Sequence, residues 1–258
     1  MQIPYGVLAF FPEQWHNKCT DFNEEGRETM PKFVSIEEAV KLIPDGASVM
    51  FGGFMGCGNA HRFIDALSKS GVKDLTMICN DASFAGGPMG EDFYGVAKLV
   101  HNHQVKRLIA THVGLNPEVA QQSMQEGTLE VILLPQGSFA EMIRAKGAGL
   151  GGVPTPTGVG TIIEDSPYCM GKYNFKGRDY LMMEPLGADF AVIAGAKIDK
   201  AGNVWYKGDT SNFNIVMATA ADVVIAEGEE IVELGEIAPE DVRTSGVFVD
   251  YVVEGGKY

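Results

Sequence analysis

Positive charge is in short supply in this sequence. Lys and Arg number 20 against 34 Asp and Glu, a formal charge of −14. Such a chain lacks the basic footprint needed to bind a nucleic-acid backbone, and anionic membrane surfaces repel it. Cysteine is scarce as well, with only Cys19, Cys57, Cys79 and Cys169. No two form a CxxC pair, so neither a zinc site nor a disulfide framework is indicated, and reduced thiols fit a cytoplasmic protein. No apolar run approaches the roughly 20 residues of a membrane-spanning helix; Ala191-Val-Ile-Ala194 is only strand-length. The N-terminus has no basic stretch of the signal-peptide kind. Internal repeats and low-complexity tracts are absent too.

What is present suits a globular protein. At about 150 residues per domain, 258 residues make one large domain or two small ones. Hydrophobic residues make up 45%, and 32 glycines announce glycine-rich loops. Residues 1–29 carry aromatics (Tyr5, Phe10, Phe11, Trp15, Phe22) without helical or alternating period. From Met30 the pattern becomes regular, and Ser35 with Glu38 forms a capping box. Glu24-Glu-Gly-Arg-Glu28 can be encoded by an almost pure purine run, as a bacterial ribosome-binding site would be. We expect Met30 to be the natural start, residues 1–29 a non-native or upstream-translated extension, and 30–258 the functional domain. A genuine N-terminal arm is the alternative, and N-terminal sequencing of the native protein separates the two.

Beyond Met30, helix-like and strand-like segments alternate. A helix over Ser35–Ile43 stops at Pro44-Asp-Gly46, and Ala47–Phe51 reads as a strand. The glycine loop Gly52-Gly-Phe-Met-Gly-Cys-Gly58 follows, with Asn59 placed to cap a helix whose apolar stripe is Phe63, Ile64 and Leu67. Strands over Asp74–Cys79, Val105–Thr111 and Leu129–Leu134 alternate with helices over Tyr94–Val100 and Pro117–Gln125. Ser138 is placed to cap Phe139–Ala145. Lys146–Lys176, rich in Gly and Thr, reads as one long irregular segment of functional loops. Further strands fall at Leu181–Met183, Phe190–Ala194 and Val223–Ala226, and Asp199–Asn203 is a turn between Val192–Ile198 and Val204–Tyr206. The pattern predicts an α/β fold, a mostly parallel open sheet with helices on both faces.

Strand, glycine loop and helix in succession invite a dinucleotide-binding reading, but the fingerprint fails. Gly56 and Gly58 fit its first two positions and residue 61 is His. No GxxxxGK[ST] loop exists either. Position is more telling. Asn80, Asp81, Gln136 and the Gly52–Gly58 loop all lie just past the carboxyl ends of predicted parallel strands, the edge at which open α/β sheets bind ligands. Amides there can donate to a developing oxyanion without ionising; a lone Asn after a strand reads first as a turn or cap, and it is the convergence of three such loops that favours a site. His101 and His103 would alternate on a strand, but no third metal ligand accompanies them, so a solvated face is preferred and no metal is expected. His112 reads as a packing or loop residue. Cys57 and Cys79 have no cationic neighbour to make them thiolates and read as buried small hydrophobes. Glu164-Asp165 and Glu227–Glu230 read as solvated acidic clusters rather than acid/base pairs.

At these loops the sequence resembles the alpha (A) subunit of family I CoA-transferases of the acetate/acetoacetate type. The resemblance rests on Gly52–Gly58, Asn80-Asp81, His112-Val-Gly-Leu-Asn-Pro-Glu118, Leu134-Pro-Gln-Gly137, Gly147–Gly152 and Thr155–Thr161. Asn212-Phe-Asn214, Ala220-Ala-Asp222 and Glu233-Leu-Gly-Glu236 extend it, so that it covers about Phe33 to Tyr251. It implies a transferase that moves CoA between a short-chain acyl-CoA and a carboxylic acid such as acetate, butyrate or acetoacetate. CoA would then be a substrate, with no resident cofactor. It also implies ping-pong chemistry on a glutamate, which in the family sits in a Ser-Glu-Asn-Gly motif of a separate beta subunit. That motif is absent from this chain, so the chain should be inactive alone and should need a beta partner. The resemblance assigns Asn80 and Gln136 to holding the reacting carboxylate and thioester carbonyl. It assigns Gly52, Gly53, Phe54 and Gly137 to substrate binding. The mammalian mitochondrial branch carries Asn-Asn where this chain has Asn80-Asp81, so it gives Asp81 no role. Residues 86–92, with Pro88 and Met89, diverge and carry no acyl-pocket assignment. A mixed anhydride must be shielded from water, and neutral amides beside an attacking carboxylate avoid raising its pKa. The rival expectations are a non-catalytic ligand-binding or sensor protein of the same fold and, given the failed fingerprint, a weaker nucleotide-dependent oxidoreductase.

Overall fold

The computed structural model describes residues 30–88 and 90–257; the expected extension 1–29, with Cys19, and Met89 lie outside them. Parallel strands dominate. The large sheet comprises β1 (Lys32–Phe33), β2 (Ser48–Phe51), β3 (Leu75–Ile78), β4 (Val105–Ala110), β5 (Glu130–Leu133), β9 (Ala188–Asp199), β10 (Val204–Trp205), β11 (Ala221–Val232) and β12 (Tyr251–Glu254). Its order is β1-β12-β11-β9-β2-β3-β4-β5 with every adjacent pair in that order parallel, and β10 pairs antiparallel with β9. The expected α/β architecture is the one observed.

Both faces are covered, which is why the strands read as unbroken apolar runs. On one face lie α1 (Ile36–Val40), α2 (His61–Ser68), α3 (Ala97–His101) and α4 (Pro117–Ala120), the last running on into a π-turn at Gln121–Glu126. They bury Ala39, Phe63, Ile64, Leu67, Leu99 and Val119 against Val49, Phe51, Leu75, Met77 and Leu108. On the other face, α5 (Gln136–Gly147) and α6 (Asn214–Met217) bury Phe139, Met142, Ile143 and Met217 against Met50, Ile78, Ile109 and Ile193. Val49 and Phe51 thus serve one core and Met50 the other, as the period of two in a strand requires. Each large side chain buried in this way contributes about 1.5–3 kcal/mol.

Several local expectations are corrected. Ser35 does cap α1 through the capping box. Asn59, however, does not cap α2; Ala60 stands at that position without a side-chain bond. The donors are met from across the sheet: Glu227, in the middle of β11, accepts from the Phe63 N–H at 2.6 Å and the Arg62 N–H at 3.3 Å. Nor does Ser138 cap the helix after Leu134. That helix, α5, already begins at Gln136 behind Pro135, and Ser138 is buried inside its first turn. Lys146–Lys176 is not one irregular segment. Together with the residues after it, it forms β6 (Val153–Thr155), β7 (Cys169–Phe175) and β8 (Arg178–Met183), an antiparallel sheet of order β6-β8-β7. Its inner residues Leu181 and Met183 join the α5 side of the core. Pro154 is tolerated because β6 pairs on one side only.

Glu227 carries a consequence for stability. It is 6% exposed, and burial pushes its carboxyl from the usual 4.5 up to about 7, the two helix N–H groups opposing the shift. The folded state therefore holds a proton that the unfolded state has released between pH 4.5 and 7, so stability falls as pH rises through that window. The expected loss is on the order of 3 kcal/mol, at about 1.36 kcal/mol per pKa unit. Denaturant titrations at pH 5 and 7.5 should show this slope in the wild type and a flatter one in Glu227→Gln. Equal slopes in the two proteins would remove Glu227 as its source.

Candidate active site

The parallel strands β2, β3 and β5, with β4 between the last two, end at one edge of the sheet, and the chain segments leaving them converge there. From β2 comes the glycine loop. Phe54 and Cys57 exchange two backbone hydrogen bonds of 2.9 Å around Met55 (φ +51°) and Gly56 (φ +80°). These are the marks of a tight two-residue hairpin turn with both central residues left-handed. Met55 pays a steric penalty there that Gly56 does not. The turn leaves Phe54 and Met55 about two-fifths exposed at its tip.

Asparagines hold the loop from beneath. Asn214, fully buried in α6, accepts from the Ala194 N–H at 3.0 Å and donates to the carbonyls of Gly58 (2.9 Å) and Thr210 (2.7 Å). Asn59 donates to the Gly52 carbonyl, and Asn212 donates to that of Cys57 at 2.9 Å. Gly52 is obligatory for packing, since a Cβ there would fall inside the Asn214 carboxamide. Asn212 and Asn214 belong to the Asn-Phe-Asn text noted above, and the structure gives them this supporting task.

From β3 comes Asn80-Asp81, and α5 starts at Gln136 just after β5. Gln136 Nε2 donates to Asn80 Oδ1 at 2.7 Å, and Thr111 Oγ1 lies 3.1 Å from the same oxygen. Asn80 Nδ2 in turn donates to Asp81 Oδ2 at 2.8 Å. Asp81 Oδ2 also accepts from the Met55 N–H at 2.8 Å, and Asp81 Oδ1 accepts from the Ser83 N–H at 2.9 Å. The glycine loop, Asn80 and Gln136 are therefore joined in one hydrogen-bonded chain. Its members differ in exposure. Asn80 and Asp81 are 2% and 5% exposed, while Gln136 and Gly137 face solvent. Asn80 thus acts inward, on Gln136, and Gln136 is the amide that an incoming molecule meets. The first backbone bond of α5 runs from the Phe139 N–H to the Pro135 carbonyl. The N–H groups of Gln136, Gly137 and Ser138 are the orphan donors of its start, and space is open beside Gly137.

The remaining candidates separate clearly. His101 closes α3 rather than lying on a strand, stacks on Phe93 at 3.9 Å and meets Glu118 at 3.0 Å. His103 and His112 are exposed. Among the described residues no group of three His, Cys, Asp or Glu could hold a metal ion. Cys79 is buried, and that burial pushes its thiol well up, with Asp81 adding to the effect. Cys57 is instead exposed on the glycine turn, because the turn points outward. Glu164 pairs with Lys172 at 3.0 Å, as a surface acid would. Glu227 is no solvated acid but the buried cap of α2. With His61 it borders a cleft of about 230 Å³ beside the glycine loop. Burial holds His61 down near pKa 4, so it is neutral, and it bonds to the Gly56 backbone and packs on Tyr94 at 4.7 Å.

Asn59, Asn214 and Glu227 escaped the sequence reading as members of the site. Asp81 stands at this edge beside Asn80 in that reading but receives no role from the resemblance, and Asn214 appears only within the matching Asn-Phe-Asn text.

Comparison with known proteins gives concordant matches. A family model described as Coenzyme A transferase matches residues 33–255. The chain is 40% identical to "Acetate CoA-transferase subunit alpha" of Escherichia coli (strain K12), over 86% of this chain and 96% of that one. It is 42% identical to "Acetoacetyl-CoA:acetate/butyrate CoA transferase alpha subunit" of Clostridium acetobutylicum, over 86% and 97%. A solved acyl-CoA transferase from E. coli O157:H7, in thioester complex with CoA, shares the fold with a TM-score of 0.75 at 22% identity. The match covers 88% of this chain but only 47% of that one, so the chain spans about half its length.

Proposed function

The chain belongs to the coenzyme A transferase family, and from that premise we propose that it is the alpha subunit of a two-chain, cytoplasmic enzyme that moves CoA between short-chain acyl-CoA and carboxylates such as acetate, butyrate and acetoacetate. The attacking glutamate is on a separate beta chain. Its carboxylate adds to the thioester carbonyl and expels CoA thiolate, leaving a mixed anhydride. The thiolate then attacks the glutamyl carbonyl, releasing the free acid and forming a glutamyl-CoA thioester. The second acid reverses these steps. Covalent catalysis thereby divides one hard exchange into easier ones. CoA is a substrate, and the chemistry needs no resident cofactor.

One observation carries this reading: the edge of the sheet presents a solvent-facing amide and a glycine turn, while the acid beside them is not available as a nucleophile. Asp81 is buried and both its oxygens are occupied by donors. The site has the parts to hold a carbonyl or carboxylate and lacks the group that attacks it. Gln136 orients the reacting group, the orphan N–H groups of α5 face the same edge, and the exposed Phe54 and Met55 offer an apolar wall to the acyl chain and to the partner. Burial under that partner would keep water from the anhydride. Purified alone, the chain should exchange no CoA above background. Adding the beta chain should restore turnover, and borohydride should trap the thioester on the beta chain. Full exchange by the lone chain would overturn the assignment.

A further inference from the structure

Asp81 is the one ionisable group in the hydrogen-bonded chain that links the glycine turn to Gln136, and its two neighbours on Oδ2 are both donors. A carboxylate is acceptor-only, whereas a carboxamide can present either end. Asn80, 2% exposed, sits between the two kinds of group. With Asp81 taking its Nδ2, its Oδ1 is the atom left to face Gln136, and Gln136 must answer with Nε2. Thr111 Oγ1, which can donate or accept, supports either orientation and does not choose between them.

We propose that Asp81 is a positioning residue for the transfer reaction: through Asn80 it sets which end of the Gln136 amide is committed inward and which atoms are offered to the substrate, and through the Met55 N–H it holds the glycine turn at a fixed distance from that amide. The inference rests on the transferase reading and deepens it. Asp81 touches no reacting atom. It makes the direction of the chain unique, from turn N–H and Asn80 amide into the carboxylate, and from Gln136 into Asn80. A second residue follows from the same geometry: Met55 adopts φ +51° with its N–H on Asp81, so the turn and the amide pair move together.

The test is a double-mutant cycle in the complex of the chain with its beta partner, using Asp81→Asn, which keeps size and shape but adds a donor, and Gln136→Ala. D81N should lower kcat at least fivefold while the KM for acyl-CoA stays within about twofold. In the Q136A background the same substitution should change kcat by less than twofold, because residues that act through one another are not additive. If D81N does not fold, Asp81→Ser makes the same comparison with a smaller side chain. Wild-type kcat in D81N, or an equal loss with and without Gln136, overturns the inference while leaving the transferase reading standing. A wild-type complex that transfers no CoA overturns the reading and this inference with it.

Discussion

Replacing Gln136 with Ala in the assembled enzyme is expected to cut turnover by on the order of tenfold to a thousandfold, the range for losing one preorganised donor to a developing oxyanion. The size follows from how the side chain is held. Gln136 is the first residue of α5, it faces solvent, and its Nε2 is tied to Asn80 at 2.7 Å. An amide fixed before the substrate arrives needs no reorganisation as charge develops. The exposed position also means that truncation opens no core cavity, so melting should change little. kcat and KM measured beside a thermal melt separate the two effects. Unchanged turnover in a well-folded Q136A would remove Gln136 from the reacting centre.

Gly52→Ala is expected to be more damaging, in stability and in rate together. The added Cβ would occupy the carboxamide of Asn214, which is fully buried and bonded to Ala194, Gly58 and Thr210. Either that amide is displaced, leaving buried partners unsatisfied at about 1–3 kcal/mol each, or the glycine loop moves away from β9. A shift of about 1 Å at a reacting centre can cost on the order of a hundredfold in rate. We expect a loss of about 3 kcal/mol or more by denaturant titration, and at least a hundredfold loss of turnover assayed below the melting point. A G52A enzyme with native melting and rate would show that the loop is not held as described.

The first half of the sheet was readable because each βα unit there is local. Val105–Ala110, Pro117 onward and Glu130–Leu133 lie close to their expected bounds, with Asn116 and Pro117 marking the helix start. The later half was harder. The Leu181–Met183 end of β8 was readable, but β6 and β7 were hidden in the stretch read as one irregular Gly- and Thr-rich segment. The edge pair β1 and β12 has meaning only once the two distant segments meet. The site shows the same division. Asn80 and Gln136 were visible because strand ends can be read along the chain. Asn214 under Gly52 and Glu227 on α2 were not, because each acts across more than 150 positions. Asn59 and Ser138 had the right chemistry for caps, but tertiary packing spent one on the glycine loop and buried the other. Cys57 read as a core residue because nothing local shows that a turn points outward.

The place of β12 between β1 and β11 has a bearing on how the protein is made. On the ribosome, Lys32 and Phe33 emerge long before Tyr251 and Val252, the residues opposite them in the ladder. Until then β11 shows a bare flank of amide and carbonyl groups, the kind of margin that recruits foreign strands. Closure of the sheet is thus a long-range event, and nascent chains halted short of Tyr251 expose that flank to aggregation.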